Sequence, residues 1–342
     1  MSDKYYAYIG TYSRGGSEGI YRVGIGDNGE ARIAGAHPAR DASYLARDGK
    51  RLAAAFESGS DKGGSAVALY DVLGDGSLVK RGEQPGGGSA TCYVSLDGAN
   101  VYSANYGSGE VGIYPLLEDG GLGGGQWIAH YGKGVNKLRQ EASHAHCALT
   151  VGPDDEGKSY LAVCDLGTDI VWFYPREDGR VTLPGYAVRT PPGTGPRHAA
   201  AVDGLTWAVI GEMSCEVLVY NGYAGKARLV QRIPFARTMG DARNTASALR
   251  VSPDGSALLG AVRGEQTLGI AWRVGGEFGP AAIVDVKGKW PRDAQFTPDG
   301  RFVVAACEHS DELVVFQVTG DGLEYVSRLG VPSPTCVCFA RA

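Results

Sequence analysis

Acidic, basic and imidazole side chains recur in this chain at two kinds of position. Seven apolar runs each end on a polar residue, and these residues are Thr11, Glu57, Asn105, Asp165, Glu212, Arg263 and Glu308. Short polar segments that lead into other apolar runs contain His144, His146, Arg197, His198, Lys289 and Arg292. Carboxylates and imidazoles exchange protons, and arginines bind anions or stabilise a developing oxyanion. If the fold brings the two sets together, the chain could carry out acid–base chemistry on an anionic substrate.

The spacing of the seven run ends indicates how the chain is built. Successive run ends are 45 to 60 residues apart, from the first residues to the last, and no linker interrupts them. A period of about 40 to 50 residues made of short strands and glycine-containing turns is typical of a β-propeller, with one four-stranded blade per repeat. The sequence therefore predicts an all-β fold, a seven-bladed β-propeller, with residues 1–342 forming a single domain.

Each predicted blade shows the same order of elements. In six repeats an Asp-Gly turn or a near variant joins a first strand to a second, as at 47–49 and 253–255, and Asp-Gly suits a tight hairpin. A run of β-branched and aromatic residues follows each polar run end and predicts a third strand. Segment 334–339 matches a first strand, whereas segment 5–11 matches a second one. We expect the two ends of the chain to share one blade and leave no open seam.

This architecture decides where the polar side chains meet. In a propeller, the loops that lead into the innermost strands converge with the ends of the second strands around the central channel at one face. The sequence therefore predicts one funnel of acidic, basic and imidazole side chains. They are His146, Arg197, His198, Lys289 and Arg292 from the entry loops and Glu57, Glu212, Arg263 and Glu308 from the run ends.

The same residues also have structural interpretations. Some run ends would only bond to a neighbouring blade, and these are Thr11, Asn105 and Asp165. His144 and His146 would share a face of a strand and could be two metal ligands, but no third ligand with suitable spacing is evident. Arg197 and Arg263 could form salt bridges between blades.

Composition excludes several classes of partner. The formal charge is −5 and no Lys/Arg run is dense enough for a nucleic-acid or membrane surface, so we expect neither partner. The N-terminus lacks a basic and apolar leader, and no apolar run reaches transmembrane length, so we expect a soluble cytoplasmic protein. Seven cysteines, an odd number at irregular spacings, are typical of small core residues rather than of a disulfide framework.

Seven motifs together resemble one known family. They are Tyr-Ile-Gly-Thr-Tyr at 8–12, Ala-Asn-Tyr-Gly-Ser-Gly at 104–109, Gln-Glu-Ala-Ser-His-Ala-His at 140–146, Asp-Leu-Gly-Thr-Asp at 165–169, Gly-Pro-Arg-His at 195–198, Arg-Val-Ser-Pro-Asp-Gly at 250–255 and Lys-Trp-Pro-Arg-Asp at 289–293. With them the chain resembles, over its whole length, the lactonase family of seven-bladed propellers. That family includes bacterial propeller-type 6-phosphogluconolactonases and fungal 3-carboxy-cis,cis-muconate lactonising enzymes.

The resemblance implies a catalytic set of His146, Glu212, Arg197 and Arg263. Glu212 would be the general base, with His146 as its partner or as the acid for the leaving alkoxide, and the two roles could be exchanged. The two arginines would clamp the substrate's anion and stabilise the oxyanion. The chain has Tyr93 where the family usually has histidine, a change that bears on substrate identity more than on reaction class.

We therefore expect an enzyme of carbohydrate metabolism that hydrolyses an anionic sugar-acid lactone, with 6-phosphogluconolactone as the first substrate to test and plain aldono- or aldarolactones second. The expected substrate-binding residues are His144, His198, Lys289, Arg292, Glu57, Glu308, Asn105 and Tyr93. We expect no metal and no organic cofactor, and a monomer or small homo-oligomer. Two alternatives remain, a carboxymuconate cycloisomerase that uses the same residues and a non-enzymatic interaction platform.

Overall fold

The computed structural model describes residues 3–58 and 64–339. Within these residues the chain forms seven antiparallel sheets, which are the seven predicted blades, and no α-helix. Two short 3₁₀ segments occur at Ala224–Lys226 and Glu308–Ser310. Residues 1–2, 59–63 and 340–342 of the predicted domain lie outside the described residues. Within residues 3–58 and 64–339, no helix has the length and hydropathy of a membrane span. The all-β propeller prediction is confirmed.

The strands follow one another around the ring in chain order. The first blade contains β1 (Asp3–Thr11), β2 (Gly19–Gly26) and β3 (Ala31–Pro38). The second blade contains β4 (Ala42–Asp48), β5 (Arg51–Phe56), β6 (Ala66–Val72) and β7 (Leu78–Pro85). The third blade contains β8 (Thr91–Leu96), β9 (Asn100–Asn105), β10 (Glu110–Pro115) and β11 (Gln126–Ala129). The fourth blade contains β12 (Ala145–Val151), β13 (Ser159–Asp165), β14 (Ile170–Glu177), β15 (Arg180–Val181) and β16 (Tyr186–Arg189). The fifth blade contains β17 (Pro196–Asp203), β18 (Thr206–Gly211), β19 (Glu216–Asn221) and β20 (Arg228–Pro234). The sixth blade contains β21 (Thr245–Val251), β22 (Ala257–Arg263), β23 (Thr267–Val274), β24 (Glu277–Phe278) and β25 (Ala282–Asp285). The seventh blade contains β26 (Pro291–Phe296), β27 (Phe302–Cys307), β28 (Glu312–Thr319) and β29 (Gly322–Gly330).

The ring is closed by β30 (Pro334–Phe339). This strand pairs antiparallel with β1, in a register that places Ala7 opposite Phe339 and Ile9 opposite Val337. The first blade therefore has the order β3-β2-β1-β30, with the last strand of the chain innermost. The predicted closure is confirmed.

The apolar core lies between neighbouring blades. At the seam, Ile9 and Val23 of the first blade pack in one cluster with Val304 and Val315 of the last blade and with Val337 of β30. All five side chains are buried. All seven cysteines are buried free thiols, as the sequence predicts. Packing across the seam thus supplements the strand pairing of the closure.

The seven polar run ends fall at equivalent places. Four of them, Thr11, Asn105, Asp165 and Arg263, are the last residues of the second strand of their blades, and Glu57, Glu212 and Glu308 directly follow such a strand. The second strands of all blades run toward the same face of the propeller, so these residues lie at that face. The repeat pattern thereby brings polar side chains to a common opening.

Deleting residues 334–342 tests the closure. The deletion removes β30, leaves β1 with an unpaired edge and exposes buried side chains that each contribute about 1.5 to 3 kcal/mol. Because a loss of 1 kcal/mol lowers the Tm by about 2 °C in a protein of this size, we expect a fall of about 10 °C or more in thermal unfolding followed by circular dichroism. An unchanged Tm would show that the ring does not depend on this strand.

A pair of glycine substitutions serves as a matched control at the same blade. A Cβ on Gly10, in β1, would lie 2.5 Å from the backbone oxygen of Ala42, whereas a Cβ on Gly35, in β3, would meet nothing within 4 Å. Gly10→Ala should lower the Tm and Gly35→Ala should not.

Candidate active site

Glu212 lies at the centre of a buried ion cluster. Its Oε1 accepts a hydrogen bond from Arg139 Nη2 at 2.5 Å, and its Oε2 accepts one from Arg197 Nε at 2.8 Å. Arg263 Nη2 lies 3.0 Å from the same Oε2. The Glu212 side chain is only 4% exposed. We call these four residues the Glu212 cluster, and in it one carboxylate faces three guanidinium groups.

Backbone carbonyl groups hold two of these arginines in place. Arg197, at the start of β17, donates to the carbonyl oxygen of Ser247. Arg263, at the end of β22, donates to the carbonyl oxygens of Thr245 and Ala246 at 3.3 and 3.0 Å. Arg263 and Glu212 belong to neighbouring blades, so this ion pair also links blades. For Arg263 the two interpretations, an inter-blade salt bridge and a place in the funnel, therefore describe one arrangement. Arg197 pairs with Glu212 inside one blade, so an inter-blade salt bridge is wrong for Arg197.

The cluster decides the charge of Glu212, which the sequence left open. Burial alone would raise the pKa of this carboxyl group, but the positive charges of Arg263 and Arg197 outweigh burial and hold its pKa well below the usual range. Glu212 is therefore ionised at neutral pH.

His146, on β12, has the opposite character. Burial lowers the pKa of its imidazole and the charge of Arg197 lowers it further, to well below the usual value. Its ring lies edge-on to Tyr106 and to His198, with centroids 5.5 and 5.6 Å away. His146 is thus a neutral imidazole beside an ionised carboxylate, and a neutral imidazole can accept a proton.

A thiol also approaches this imidazole. Cys92 Sγ lies 3.7 Å from His146 Nδ1. Burial raises the pKa of Cys92 to about 12, so the sulfur remains protonated at neutral pH. Since only a thiolate is an effective nucleophile, the site does not fit thiolate catalysis.

A second group of charged residues lies on the other side of the opening, across the seam of the ring. Tyr12 donates to Glu57 Oε2 at 2.6 Å and accepts from Arg292 Nη2 at 2.5 Å. Arg292 Nη1 lies 3.6 Å from Glu308 Oε2, and Arg14 donates to Glu308 Oε1 at 2.6 Å. Glu308 is buried, and its Oε2 accepts no hydrogen bond from any described residue. We call these five residues the Arg292 cluster.

Aromatic rings form a floor beneath the funnel. Tyr44 and Tyr93 stack with centroids 4.4 Å apart, and His198 packs edge-on against both rings. Arg250 donates to Asp293 at 2.7 and 2.9 Å and to the Tyr44 hydroxyl group at 3.1 Å. Below this floor a cavity of about 410 Å³, which Tyr44, Tyr93 and Arg250 help to line, opens at the opposite end of the channel. The floor therefore gives the funnel a closed base.

Two of the expected substrate-binding residues are bonded to the protein instead. Asn105 is fully buried, accepts from Thr91 Oγ1 at 2.6 Å and donates to Gly86 O at 2.8 Å. Both ring nitrogens of His144 have partners, at 2.7 Å from Tyr106 O and 3.2 Å from Glu141 Oε1. These bonds argue against the predicted substrate contacts of Asn105 and His144.

The remaining predicted residues differ in position. Thr11 and Asp165 are bonded within their own blades, Thr11 to Ser17 and Gly19 and Asp165 to the 143–144 segment, and not to a neighbouring blade as their structural interpretation expected. Lys289 is exposed. In the described part of the chain, no group of three or more His, Cys, Asp or Glu side chains could hold a metal ion.

Sequence reasoning missed Arg139, Tyr12, Tyr106 and Trp290. Arg139 directly precedes a recognised motif but lies in an irregular loop with no repeat to indicate its direction. Trp290 lies under the Arg263 guanidinium group, 5.4 Å from it, and has a φ of 62° that its position before a proline does not predict. Tyr12 and Tyr106 each follow a run end by one residue, and that position is the signal that could have found them.

Comparison with known proteins identifies the family of this chain. The family described as "Lactonase, 7-bladed beta-propeller" matches residues 6–339. A 6-phosphogluconolactonase of Bacillus subtilis is 34% identical over 98% of both chains. The chain belongs to the lactonase family of seven-bladed β-propellers. It is a lactone-hydrolysing enzyme, so the non-enzymatic alternative is wrong.

Solved structures resemble this lactonase closely. The periplasmic gluconolactonase of Pseudomonas aeruginosa superposes with a TM-score of 0.86 at 28% identity, over 98% of this chain and 99% of that one. A protein from Lactobacillus plantarum gives a TM-score of 0.85 at 25% identity, with the same coverage. Since one of these relatives is periplasmic, cytoplasmic location stays a prediction for this lactonase.

The charge state of His146 can be measured directly. Since burial and Arg197 disfavour its cation, we expect the imidazole to remain neutral at pH 6, where an unperturbed histidine with a pKa of about 6.5 is mostly charged. Histidine ¹⁵N chemical shifts followed from pH 8 to pH 5 would show this, and half-protonation of His146 near pH 6.5 would contradict it.

Two variants provide the control for that titration. Glu212→Gln removes a negative charge that favours the imidazolium ion, so the pKa of His146 should fall further. Glu216→Gln, which breaks an ion pair with Arg232 at 2.7 Å on strands β19 and β20, should leave the His146 titration unchanged.

Proposed function

We propose that this lactonase hydrolyses an aldonolactone with an anionic group, with 6-phosphogluconolactone as the first candidate. The observation that carries the proposal is the Glu212 cluster, in which three arginines and one carboxylate leave an excess of positive charge beside the neutral imidazole of His146. Positive charge favours an anionic substrate and an oxyanion, and a neutral imidazole favours proton transfer from water. The name of the Bacillus subtilis relative supports the phosphorylated substrate, and that of the Pseudomonas aeruginosa structure supports the plain one.

The proposed reaction begins with a water molecule next to His146. His146 accepts a proton from the water as its oxygen attacks the lactone carbonyl carbon, and a tetrahedral oxyanion forms. Arg197 and Arg263 stabilise that oxyanion from fixed positions, which costs little reorganisation. When the ring C–O bond breaks, the imidazolium group of His146 returns the proton to the leaving alkoxide. The product is the open aldonic acid.

In this scheme Glu212 supports the reaction rather than accepting the proton. Both oxygens of Glu212 already accept hydrogen bonds from arginines, so the scheme assigns proton transfer to the neutral imidazole of His146. Glu212 orients the arginines, and its negative charge stabilises the imidazolium group when that forms. Of the two assignments that the sequence allowed, the hydrogen bonds that Glu212 accepts favour the one with His146 as base.

The Arg292 cluster is proposed to bind the hydroxyl groups of the substrate. Glu57 and Glu308 are acceptors, and Glu308 Oε2 has a vacant lone pair. Burial raises the pKa of Tyr12, which keeps its phenol protonated as a donor. Sugar hydroxyl groups can donate to such acceptors, whereas the carboxylates of a carboxymuconate have no donor to offer them. The arrangement therefore favours a sugar lactone over the cycloisomerase reaction.

Substrate and mechanism can be tested together by pH-stat titration of 6-phosphogluconolactone and gluconolactone, with carboxymuconate followed by ultraviolet absorbance. We expect lactone hydrolysis and no conversion of carboxymuconate. His146→Asn and Glu212→Gln should each lower kcat by about two to four orders of magnitude, and the double variant should be little worse than the poorer single one.

His37→Asn and Glu216→Gln, which change the same residue types away from the funnel, are the controls and should keep wild-type kcat. If both funnel variants fold normally and retain near-normal turnover, the catalytic assignment is wrong, and Glu57 and Glu308 are the next residues to test.

A further inference from the structure

Arg139 differs from the other two arginines of the Glu212 cluster. Its side chain is 36% exposed, whereas those of Arg197 and Arg263 are 4% and 8% exposed. Its partners are Glu212 Oε1 and, at 3.3 Å, the hydroxyl group of Tyr106, and no backbone carbonyl group fixes it. Arg139 is therefore the member of the cluster that solvent, and hence a ligand, can reach.

Part of the Arg139 guanidinium group has no protein partner. An arginine presents five N–H donors in a planar fork. Both contacts of Arg139 use Nη2, so among the described residues Nε and Nη1 have no acceptor. A planar pair of donors matches two oxygens of a phosphate or carboxylate group.

The backbone beneath Arg139 is well fixed although it belongs to no strand. Buried Gln140 donates through Nε2 to Leu166 O at 2.9 Å and accepts from Asn136 N at 3.0 Å. Asn136 Oδ1 in turn accepts from the backbone N–H groups of Leu138 and Arg139 at 3.0 and 3.2 Å. These bonds define a compact segment, the 134–140 turn, that presents Arg139 in one place.

Local charge around this turn is positive. Exposed Lys133 directly precedes the turn and exposed Lys137 lies within it, and residues 131–140 contain no acidic residue. Two exposed lysines beside a partly free arginine favour the approach of an anion from solvent.

One aromatic residue separates Arg139 from the proposed base. Tyr106 accepts from Arg139 through its hydroxyl group, while its ring lies edge-on to His146 at 5.5 Å and stacked on His144 at 4.6 Å. A lactone with its carbonyl carbon beside His146 could thus extend its distal group past Tyr106 to Arg139.

We propose that Arg139 binds the distal anionic group of the substrate, a phosphate monoester, and so determines the preference for phosphorylated over plain aldonolactones. The inference rests on the proposed lactone hydrolysis and adds a specificity-determining residue to it. Arg197 and Arg263, which are buried and held in place by backbone carbonyl groups, remain beside the reacting carbonyl group.

The test compares Arg139→Gln and Arg139→Lys with the wild type on 6-phosphogluconolactone and gluconolactone. Loss of a hydrogen-bonded charge pair should lower kcat/KM for the phosphorylated lactone about 10- to 100-fold, mainly through KM. The loss on gluconolactone should be at least tenfold smaller. Arg139→Lys should recover only part of the preference, because it keeps the charge and loses the fork.

Arg232→Gln is the matched control, since Arg232 is also an exposed arginine paired with a glutamate, Glu216, and it lies on the outer strand of a blade. It should leave both substrates unaffected. Circular dichroism melting curves of all variants would confirm that each is folded.

A binding measurement separates this inference from the proposed function. Isothermal titration with 6-phosphogluconate and gluconate needs no turnover, and Arg139→Gln should weaken only the phosphorylated ligand. Equal losses on both lactones, or unchanged selectivity, would overturn the role of Arg139 and leave lactone hydrolysis standing. If the wild type hydrolysed neither lactone, the proposed function would fail, and the titration would still decide whether Arg139 binds the phosphate.

Discussion

The organisation of the site depends on a single buried carboxylate, that of Glu212. An ionised group removed from water costs several kcal/mol unless opposite charges and hydrogen bonds surround it. Here Arg139, Arg197 and Arg263 come from three successive parts of the ring and meet on this one group. Their shared partner holds the three guanidinium groups together, and their charges keep Glu212 ionised. His146 is kept neutral mainly by burial, with the charge of Arg197 acting in the same direction.

The sequence could predict the parts of this structure that repeat. The regular spacing of the run ends follows from the blade period, so it predicts the positions of Glu212 and Arg263 at the ends of second strands. Segment 334–339 could be recognised as a first strand without a partner of its own, and it pairs with β1 as expected. Family motifs then directed attention to His146 and Arg197, which the structure brings to the same opening.

Other features depend on contacts that no local pattern encodes. A strand-end position determines where a side chain begins, but it does not determine which atoms that side chain bonds. In the sequence Asn105 is therefore equivalent to Glu212, whereas in the structure hydrogen bonds within the protein satisfy its amide group. Arg139 lies outside the repeat, and its direction is set by Gln140 and Asn136 in the 134–140 turn. The charge of Glu212 results from burial, which disfavours the carboxylate, and from several arginines, which favour it. The outcome depends on the distances between Glu212 and these arginines, which the sequence does not contain.

The position of β30 has a consequence for how the protein is made. Ribosomes synthesise this strand after the other twenty-nine, yet it lies innermost in the first blade, and its Val337 N–H group donates to Asp293 at 2.9 Å in the aromatic floor. Tyr12 and Glu57 are translated early, whereas their partner Arg292 is translated late. A growing chain can build individual blades in order, but it has neither a closed ring nor a complete Arg292 cluster until its C-terminal strand has left the exit tunnel. Activity is therefore acquired only after synthesis has passed this last strand.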